Sequence, residues 1–373
     1  MKIGFDAKRA FNNSAGLGNF SRNTIVALAH QKTEDLFYLF HPGNKKVPFL
    51  LPENSFEIKP KSLWWRTFRN SWRRFQISKL ARVQKIDIYH GLSHELPIGI
   101  EGIAVQSIVT IHDLIYIRYP EYFKKIDRLI YDRKFRHACQ VANRIHAISK
   151  QTKRDLVEFF EIPEEKIQVI YQSINPIFFR KADQSQKQQI RKKYQLPQKF
   201  LMTVGTVEER KNLMALVEGM LSANIYIPLV VVGKPTDYQL KVQKLIEHDF
   251  NRLQVFFFSS IEDAELAVLY QMAKVMIYPS IFEGFGLPVA EAQASGCPVV
   301  TSNTSSLPEA GGDAALYIDP QKPEEIGQAI RQLLDNSVLR KSLIAKGKIN
   351  AQRFTQEKYS RQLKQLYNSI LND

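Results

Sequence analysis

The stretch that most constrains this chain runs from Val275 to Ser302 and reads VMIYPSIFEGFGLPVAEAQASGCPVVTS. A short β-rich apolar run, Val275 to Tyr278, stops at Pro279, and a loop from Ser280 to Gly286 follows. A helix opens near Pro288, whose fixed φ suits a first helical turn, and Gly296 ends it. Pro298 to Ser302 then reads as the next strand. Two apolar strands joined through a helix make one unit of a parallel sheet, because parallel neighbours need a crossover connection. In open α/β sheets, ligands bind at the carboxyl ends of the strands, where this loop lies.

The Gly284-Phe285-Gly286 loop lets backbone N–H groups approach a ligand, and the helix start behind it attracts negative charge. Leu287 stands at that helix start. Glu283 and Glu291 flank the spot. Glu291, about one turn into the helix, suits a grip on a sugar diol beside phosphate, and Glu283 stands on the loop where a second ring fits. A glutamate at a helix start is also stabilised by the dipole alone, which accounts for Glu291 but not for the whole string.

The same alternation fills the rest of the chain. Lys2–Phe5, Asp35–His41, Phe56–Lys59, Asp87–His90, Val105–Ile111, Arg144–Ile148 and Ile167–Tyr171 read as strands of a first series. A loop through Gly16-Leu17-Gly18 leads to a helix over Asn19–His30, and Ser149 is a fair N-cap for a helix through Phe160. His112 stands where a strand ends, placed to hydrogen-bond a substrate hydroxyl or share a proton; a lone histidine there is as often structural. Residues 172–199 are polar, with QSQKQQ at their middle, and read as a linker. A second series starts at Phe200–Val204, followed by Gly205-Thr206, and Arg210-Lys211-Asn212 opens a helix to about Ser222. Arginine as a fork and lysine as a point charge at a strand–helix junction can hold a diphosphate; a solvated basic pair is the alternative. Strands alternating with helices indicate a doubly wound parallel sheet in each series, an α/β protein.

The spacing Glu-x7-Glu around GFG-x-P, with RKN upstream, HDL at His112 and LPEAGG downstream, resembles the retaining GT-B glycosyltransferases of family 4. The resemblance is dense over residues 205–320 and thinner in the first half. It implies two Rossmann-like, doubly wound domains facing a central cleft: residues 1–180 binding acceptor, residues 181–355 binding donor, with a last helix over about 356–373 crossing back onto the first. It implies hexosyl transfer, GDP-mannose first and a UDP-sugar second, to a glycan or lipid-linked saccharide in cell-surface polysaccharide synthesis. In the family, Gly205, Thr206, Arg210, Lys211, Gly284, Phe285, Gly286 and Leu287 correspond to the donor site with Glu283 and Glu291. His112 lies against the transferred sugar, and Gly16-Leu17-Gly18 holds phosphate. His112, Glu283, Arg210 and Lys211 are thus the catalytic expectations. A GT-B-type sugar-nucleotide epimerase and a basic nucleic-acid binder are the rival readings.

Charge adds two expectations. No Asp-x-Asp occurs, so the usual carboxylate handle for a metal–diphosphate is missing and no cofactor is expected. The net charge is +15, and residues 1–180 hold 29 Lys and Arg against 17 Asp and Glu. That half is therefore suited to an anionic ligand or surface. Lys61 to Arg82 contains all three tryptophans, seven Lys and Arg and no acid. Read at 100° per residue, Trp64, Trp65, Phe68 and Trp72 share an arc opposite Arg69 and Arg73, the layout of an interfacial helix on anionic lipid. A core-packed helix shows the same pattern. Tyr122 to Arg136 is a second basic aromatic run. The arginines and aromatics sit on opposite faces, whereas nucleic-acid stacking platforms interleave them. Two cysteines give no disulfide framework, the start MKIGFDAKRA reads as a strand rather than a signal peptide, and no apolar run approaches a bilayer span. A cytoplasmic enzyme, peripheral on the inner membrane face, is the expectation.

Overall fold

The computed structural model describes residues 1–31, 34–43, 45–249 and 253–372. The chain forms two compact units: Met1–Ser173 with Gln356–Asp373, and Ile174–Thr355.

The first unit is built on a seven-stranded parallel sheet. Its strands are β1 (Lys2–Asp6), β2 (Leu36–Phe40), β3 (Ser55–Ile58), β4 (Ile88–Gly91), β5 (Gln106–Ile111), β6 (Arg144–Ala147) and β7 (Ile167–Val169). The order is β3-β2-β1-β4-β5-β6-β7, so the winding reverses between β1 and β4. Strands covered on both faces are mostly apolar, and Ile108, Val109 and Ile111 of β5 are fully buried. The second unit has six parallel strands: β8 (Leu201–Val204), β9 (Leu229–Val232), β10 (Val255–Phe258), β11 (Met276–Tyr278), β12 (Val299–Ser302) and β13 (Ala315–Ile318). Their order is β10-β9-β8-β11-β12-β13, with the reversal between β8 and β11. Loops leave the two strands at each reversal in opposite directions and open a crevice there.

Polar side chains inside the first sheet form one continuous hydrogen-bonded line. Tyr367 Oη lies 2.7 Å from His90 Nδ1, His90 Nε2 2.7 Å from Thr110 Oγ1, Thr110 Oγ1 3.0 Å from His146 Nδ1, and His146 Nε2 2.8 Å from the Ile170 carbonyl. A carbonyl only accepts, so His146 carries its proton on Nε2, and every proton in the line follows from that. Burial holds His90 well below the usual histidine range and His146 down to about 4, so both rings are neutral. Tyr367 belongs to the helix Gln356–Asn372, and that helix also meets Thr24 through Tyr359 Oη at 2.9 Å.

Three segments differ from the sequence expectation. The helix expected from Asn19 begins at Gly16, so Gly16, Leu17 and Gly18 form its first turn instead of a loop. Asn13 Oδ1 accepts the Ala15 amide at 2.6 Å, and that local turn aims the chain into the helix three residues early. Residues 172–199 contain the helix Gln184–Lys193, because Asp183 and Gln186 close a reciprocal capping box at its start. Lys61 to Arg82 is not one helix but three short ones, Leu63–Thr67, Arg69–Phe75 and Ile77–Val83. The joint at Phe68, φ −93° and ψ 54°, turns the aromatic arc apart. Trp72 is buried among the core residues and Trp65 packs against them. Arg73 is buried between the carboxylates of Asp6, at 2.8 Å, and Glu95. Trp72 and Arg73 therefore serve the interior, not a lipid face. Trp64 and Phe68 stay exposed, as does Arg69. Among the described residues no helix is long and apolar enough to cross a membrane.

Candidate active site

The reversal between β8 and β11 gathers the second unit's chemistry. After β8 the chain turns through Gly205 and Thr206 to a 3-10 turn, Glu209–Lys211, and Asn212 takes a left-handed conformation at φ 61° before the helix Leu213–Ser222. The Asn212 amide ties that corner to the carbonyls of Pro279 and Pro320, at 3.2 and 2.7 Å. Gly205 has φ 138°, and a Cβ there would stand 3.2 Å from Lys211 Cε, so glycine leaves the lane along which Lys211 runs.

Arg210 and Lys211 both point to the loop after β11. Arg210 Nη1 lies 2.8 Å from Glu283 Oε1 and donates to the Phe282 carbonyl at 2.5 Å. Lys211 Nζ donates to Glu283 Oε1 at 2.5 Å and to Tyr278 Oη at 2.6 Å. Ser280 also donates to that carboxylate. Burial alone would raise Glu283, but Arg210 and Lys211 outweigh it and hold the carboxyl down to about 2. Burial lowers Lys211, and repulsion from Arg210 adds to that against the attraction of Glu283. Arg210, which also donates from Nη2 to Glu208 Oε1 at 2.6 Å, is raised: burial lowers it, but Glu283 and Glu208 together outweigh that cost. Arg210 and Lys211 thus meet two carboxylates, Glu283 from this loop and Glu208 from the turn before them.

Gly284, Phe285 and Gly286 then lead to the helix Leu287–Ala294. Gly286 has φ 107°, and a Cβ would fall 2.7 Å from Leu307 Cδ2, so only glycine makes this turn. The amides of Gly284 and Gly286 donate to no protein group among the described residues. Phe285 is a structural side chain, packed edge-on against Phe354 at 5.3 Å. Ser305 Oγ accepts the Glu283 amide at 3.1 Å, and Ser306 Oγ donates to the carbonyls of Glu283 and Phe285 at 2.8 and 2.9 Å. These serines, with Tyr278 and Ser280, were missed from sequence. The run Ser302 to Ser306 after a buried strand is the signal that carried them.

Glu291 stands one turn into that helix with Tyr270 Oη 3.4 Å from Oε2. Burial, with the charge of Asp263, pushes its carboxyl up to about 8. Two glutamates eight residues apart thus differ widely in proton affinity. The structure brings Gly205, Arg210, Lys211, Glu283, Gly284, Gly286, Leu287 and Glu291 to one edge of one sheet. It places Thr206 half-buried beside Gly205. Among the described residues no group of three or more His, Cys, Asp or Glu is placed to hold a metal ion.

His112 and the turn Gly16–Gly18 belong to the first unit. His112 follows β5, is buried, and has Nε2 3.0 Å from the Leu92 carbonyl, which assigns the proton to Nε2. Burial brings it down to about 4, leaving a neutral ring with Nδ1 as acceptor. Phe20 from the helix Gly16–Ala29 meets it edge-on at 4.5 Å.

Comparison with known proteins agrees with this architecture. The family described as "Glycosyltransferase Family 4" matches residues 23–177, and "Glycosyl transferases group 1" matches residues 186–350. The chain is 28% identical to the O-antigen chain mannosyltransferase B of Escherichia coli over 375 residues, 96% of this chain and 97% of that one. It is 28% identical over 281 residues to the serotype-specific mannosyltransferase WbdA of Escherichia coli, of whose length it spans only 34%. A glycosyltransferase structure from Rickettsia africae ESF-5 superposes with a TM-score of 0.78 at 20% identity, covering 100% of this chain and 99% of that one. With one family matching each unit and the fold shared end to end, the chain belongs to the family-4 glycosyltransferases of the GT-B fold.

Proposed function

We propose that this enzyme transfers a mannosyl group, with retention of configuration, from GDP-mannose to a lipid-linked saccharide during synthesis of a cell-surface polysaccharide. The observation that carries the reading is the convergence of Arg210 and Lys211 on Glu283 beside the undonated amides of Gly284 and Gly286. That edge supplies fixed positive charge where a diphosphate would depart. The bond from the anomeric carbon to the diphosphate oxygen breaks, the acceptor oxygen bonds to that carbon, and the acceptor proton passes to the leaving diphosphate. Glu283, held ionised, takes the sugar hydroxyls, and Glu291 takes the ribose diol. The full-length relative that is an O-antigen mannosyltransferase supports mannose and a saccharide acceptor. Because Arg210 and Lys211 supply the countercharge, the reading needs no metal.

The test is calorimetric titration with GDP. Arg210→Ala, Lys211→Ala and Glu291→Ala should each weaken binding by about 1–3 kcal/mol, the range for charge-assisted bonds. Turnover of GDP-mannose should persist in EDTA. Unchanged affinity in all three variants would sink the donor site; loss of turnover in EDTA with recovery on Mg²⁺ or Mn²⁺ would sink the metal-free reading.

Docking on an anionic bilayer belongs to the same proposal, on a surface narrower than the sequence implied. Leu63, Trp64 and Phe68 are exposed near Arg66 and Arg69, and Ile126, Leu129 and Ile130 are exposed on the helix Lys125–Val141. Glu95 joins the two elements, pairing with Arg73 of one and with Lys134 of the other at 3.1 Å. Apolar side chains ringed by cations fit the headgroup region of anionic lipid.

A further inference from the structure

The Lys211 ammonium is held by a phenol that the chemistry proposed above does not use. Tyr278 ends β11 and is buried, with 2% exposure. Its carbonyl accepts the Thr301 hydroxyl at 2.9 Å, and Thr301 stands beside it in β12, so the strand end that carries the ring is fixed by the neighbouring strand. Lys211 Nζ lies over the ring, 4.9 Å from its centroid, and donates to Tyr278 Oη at 2.6 Å. One cation is thus held by two separate attractions, a hydrogen bond and a cation–π contact. Burial, with the charge of Glu283, holds the phenol well above the usual tyrosine range, so it stays neutral.

An ammonium has three N–H groups. One goes to Tyr278 Oη and one to Glu283 Oε1, and Lys211 meets no third acceptor among the described residues. Two fixed bonds leave a tetrahedral nitrogen no freedom to rotate, so the third N–H has one direction. Without the hydroxyl, Lys211 would keep a single hydrogen bond, to Glu283, and its other two N–H groups would turn about it. The carboxylate is arranged in a similar way. Arg210, Lys211 and Ser280 all converge on Oε1 of Glu283, and Oε2 takes no protein donor among the described residues.

We infer that Tyr278 is a positioning residue for transfer: it touches no substrate, and its hydroxyl aims the remaining N–H of Lys211 at an oxygen of the departing diphosphate. The inference rests on the reading of this edge as the diphosphate site, and adds to it the group that makes Lys211 a directed donor instead of a diffuse charge. An N–H fixed before the bond breaks stabilises the charge that develops on the leaving oxygen, with no reorganisation at that moment. Its effect is larger in the transition state than in the bound nucleotide sugar.

The test is Tyr278→Phe, which keeps the ring and its contact with the ammonium and removes only the hydroxyl. Release of GDP from GDP-mannose should fall at least tenfold in kcat, while KM changes less than threefold. Calorimetric titrations with GDP from neutral to alkaline pH give a second reading. Burial already lowers Lys211, with Arg210 adding to that against Glu283 and Glu208. Loss of the bond that Tyr278 accepts favours the uncharged amine, so GDP affinity in the variant should decline at a lower pH than in the wild type. In the Lys211→Ala background, Tyr278→Phe should change neither kcat nor GDP affinity further. Wild-type kcat with an unshifted pH profile would overturn the inference, whether or not the melting temperature falls. A full further loss in the Lys211→Ala background would overturn it too, because the tyrosine would then act on the fold and not through the lysine. A wild type that neither binds GDP nor releases it from GDP-mannose would overturn the diphosphate reading itself, and this role with it.

Discussion

At the scale of single residues, Glu283 and Glu291 show how environment divides one residue type into two chemistries. Glu283 is the shared counter-ion of two buried cations. Glu283→Gln would leave Lys211 buried without a carboxylate while Arg210 keeps Glu208, which costs about 3–5 kcal/mol for a broken buried pair. The melting temperature of that variant should fall at neutral pH. Glu291 should do the reverse. Its carboxyl, pushed up to about 8, keeps a proton that the unfolded chain gives up above its ordinary value of 4.5. The folded form therefore binds more protons across that window, and stability declines as pH rises from about 4.5 to 8. Glu291→Gln removes the penalty: its melting temperature should exceed the wild type at pH 9 and match it near pH 5, while GDP affinity drops. Equal melting at both pH values would show that burial does not hold the proton.

At the scale of elements, the segment Lys61–Arg82 shows the reach of periodicity. The hydrophobic spacing described one amphipathic helix, but Trp72 joins the apolar core and Arg73 is drawn inward by Asp6 and Glu95, both distant in the chain. What remains outside is Trp64, 64% exposed, with Leu63 and Phe68. Vesicle co-sedimentation separates these roles. The wild type should pellet with phosphatidylglycerol vesicles at low salt and less at high salt, because surface charge is screened. Trp64→Ala/Phe68→Ala/Arg69→Ala should pellet far less and melt normally. Trp72→Ala should pellet as the wild type does but melt earlier, a large-to-small core change costing about 3–5 kcal/mol. If the triple variant pellets as well as the wild type, the exposed aromatics do not meet lipid.

At the scale of the whole molecule, the helix Gln356–Asn372 belongs to the unit that contains the chain's start. Tyr367 joins the interior polar line, Tyr359 bonds Thr24, and Lys364 pairs with Asp35, which also holds the Met1 ammonium at 2.8 Å. Chain start and chain end are thus tied through one carboxylate. The neutral histidines make this interior sensitive to acid. His90, His112 and His146 are all lowered in the fold, so below pH 6.5 the unfolded chain takes up protons that the fold refuses. These rings add no pH dependence above about pH 6.5 and cost increasing stability from there down to about pH 4, as read by denaturant midpoints across that range in the Glu291→Gln background, which removes the opposing effect of that carboxyl. Tyr367→Phe removes the donor to His90 Nδ1 and should cost about 1–3 kcal/mol for a buried group left unpaired. A midpoint that does not move between pH 6.5 and 4 would mean that these rings are protonated in the fold.

The sequence by itself determined the layers. Apolar runs such as Val299–Ser302 and Leu229–Val232 can only be interior parallel strands, and the glycines and proline around Leu287 mark a strand-to-helix turn that few other residues permit. These signals are local, carried by neighbours in the chain. The tertiary structure alone decided which charges meet. Glu283 lies 72 residues from Lys211 and Asp6 lies 67 from Arg73, and no spacing rule spans such gaps. Gly205 and Gly284 were legible because backbone conformation is a property of the residue itself. The serines that brace the loop and the buried line from Tyr367 to Ile170 were not. An ion pair or a buried hydrogen bond depends on who arrives from elsewhere, and only the closed fold supplies that partner.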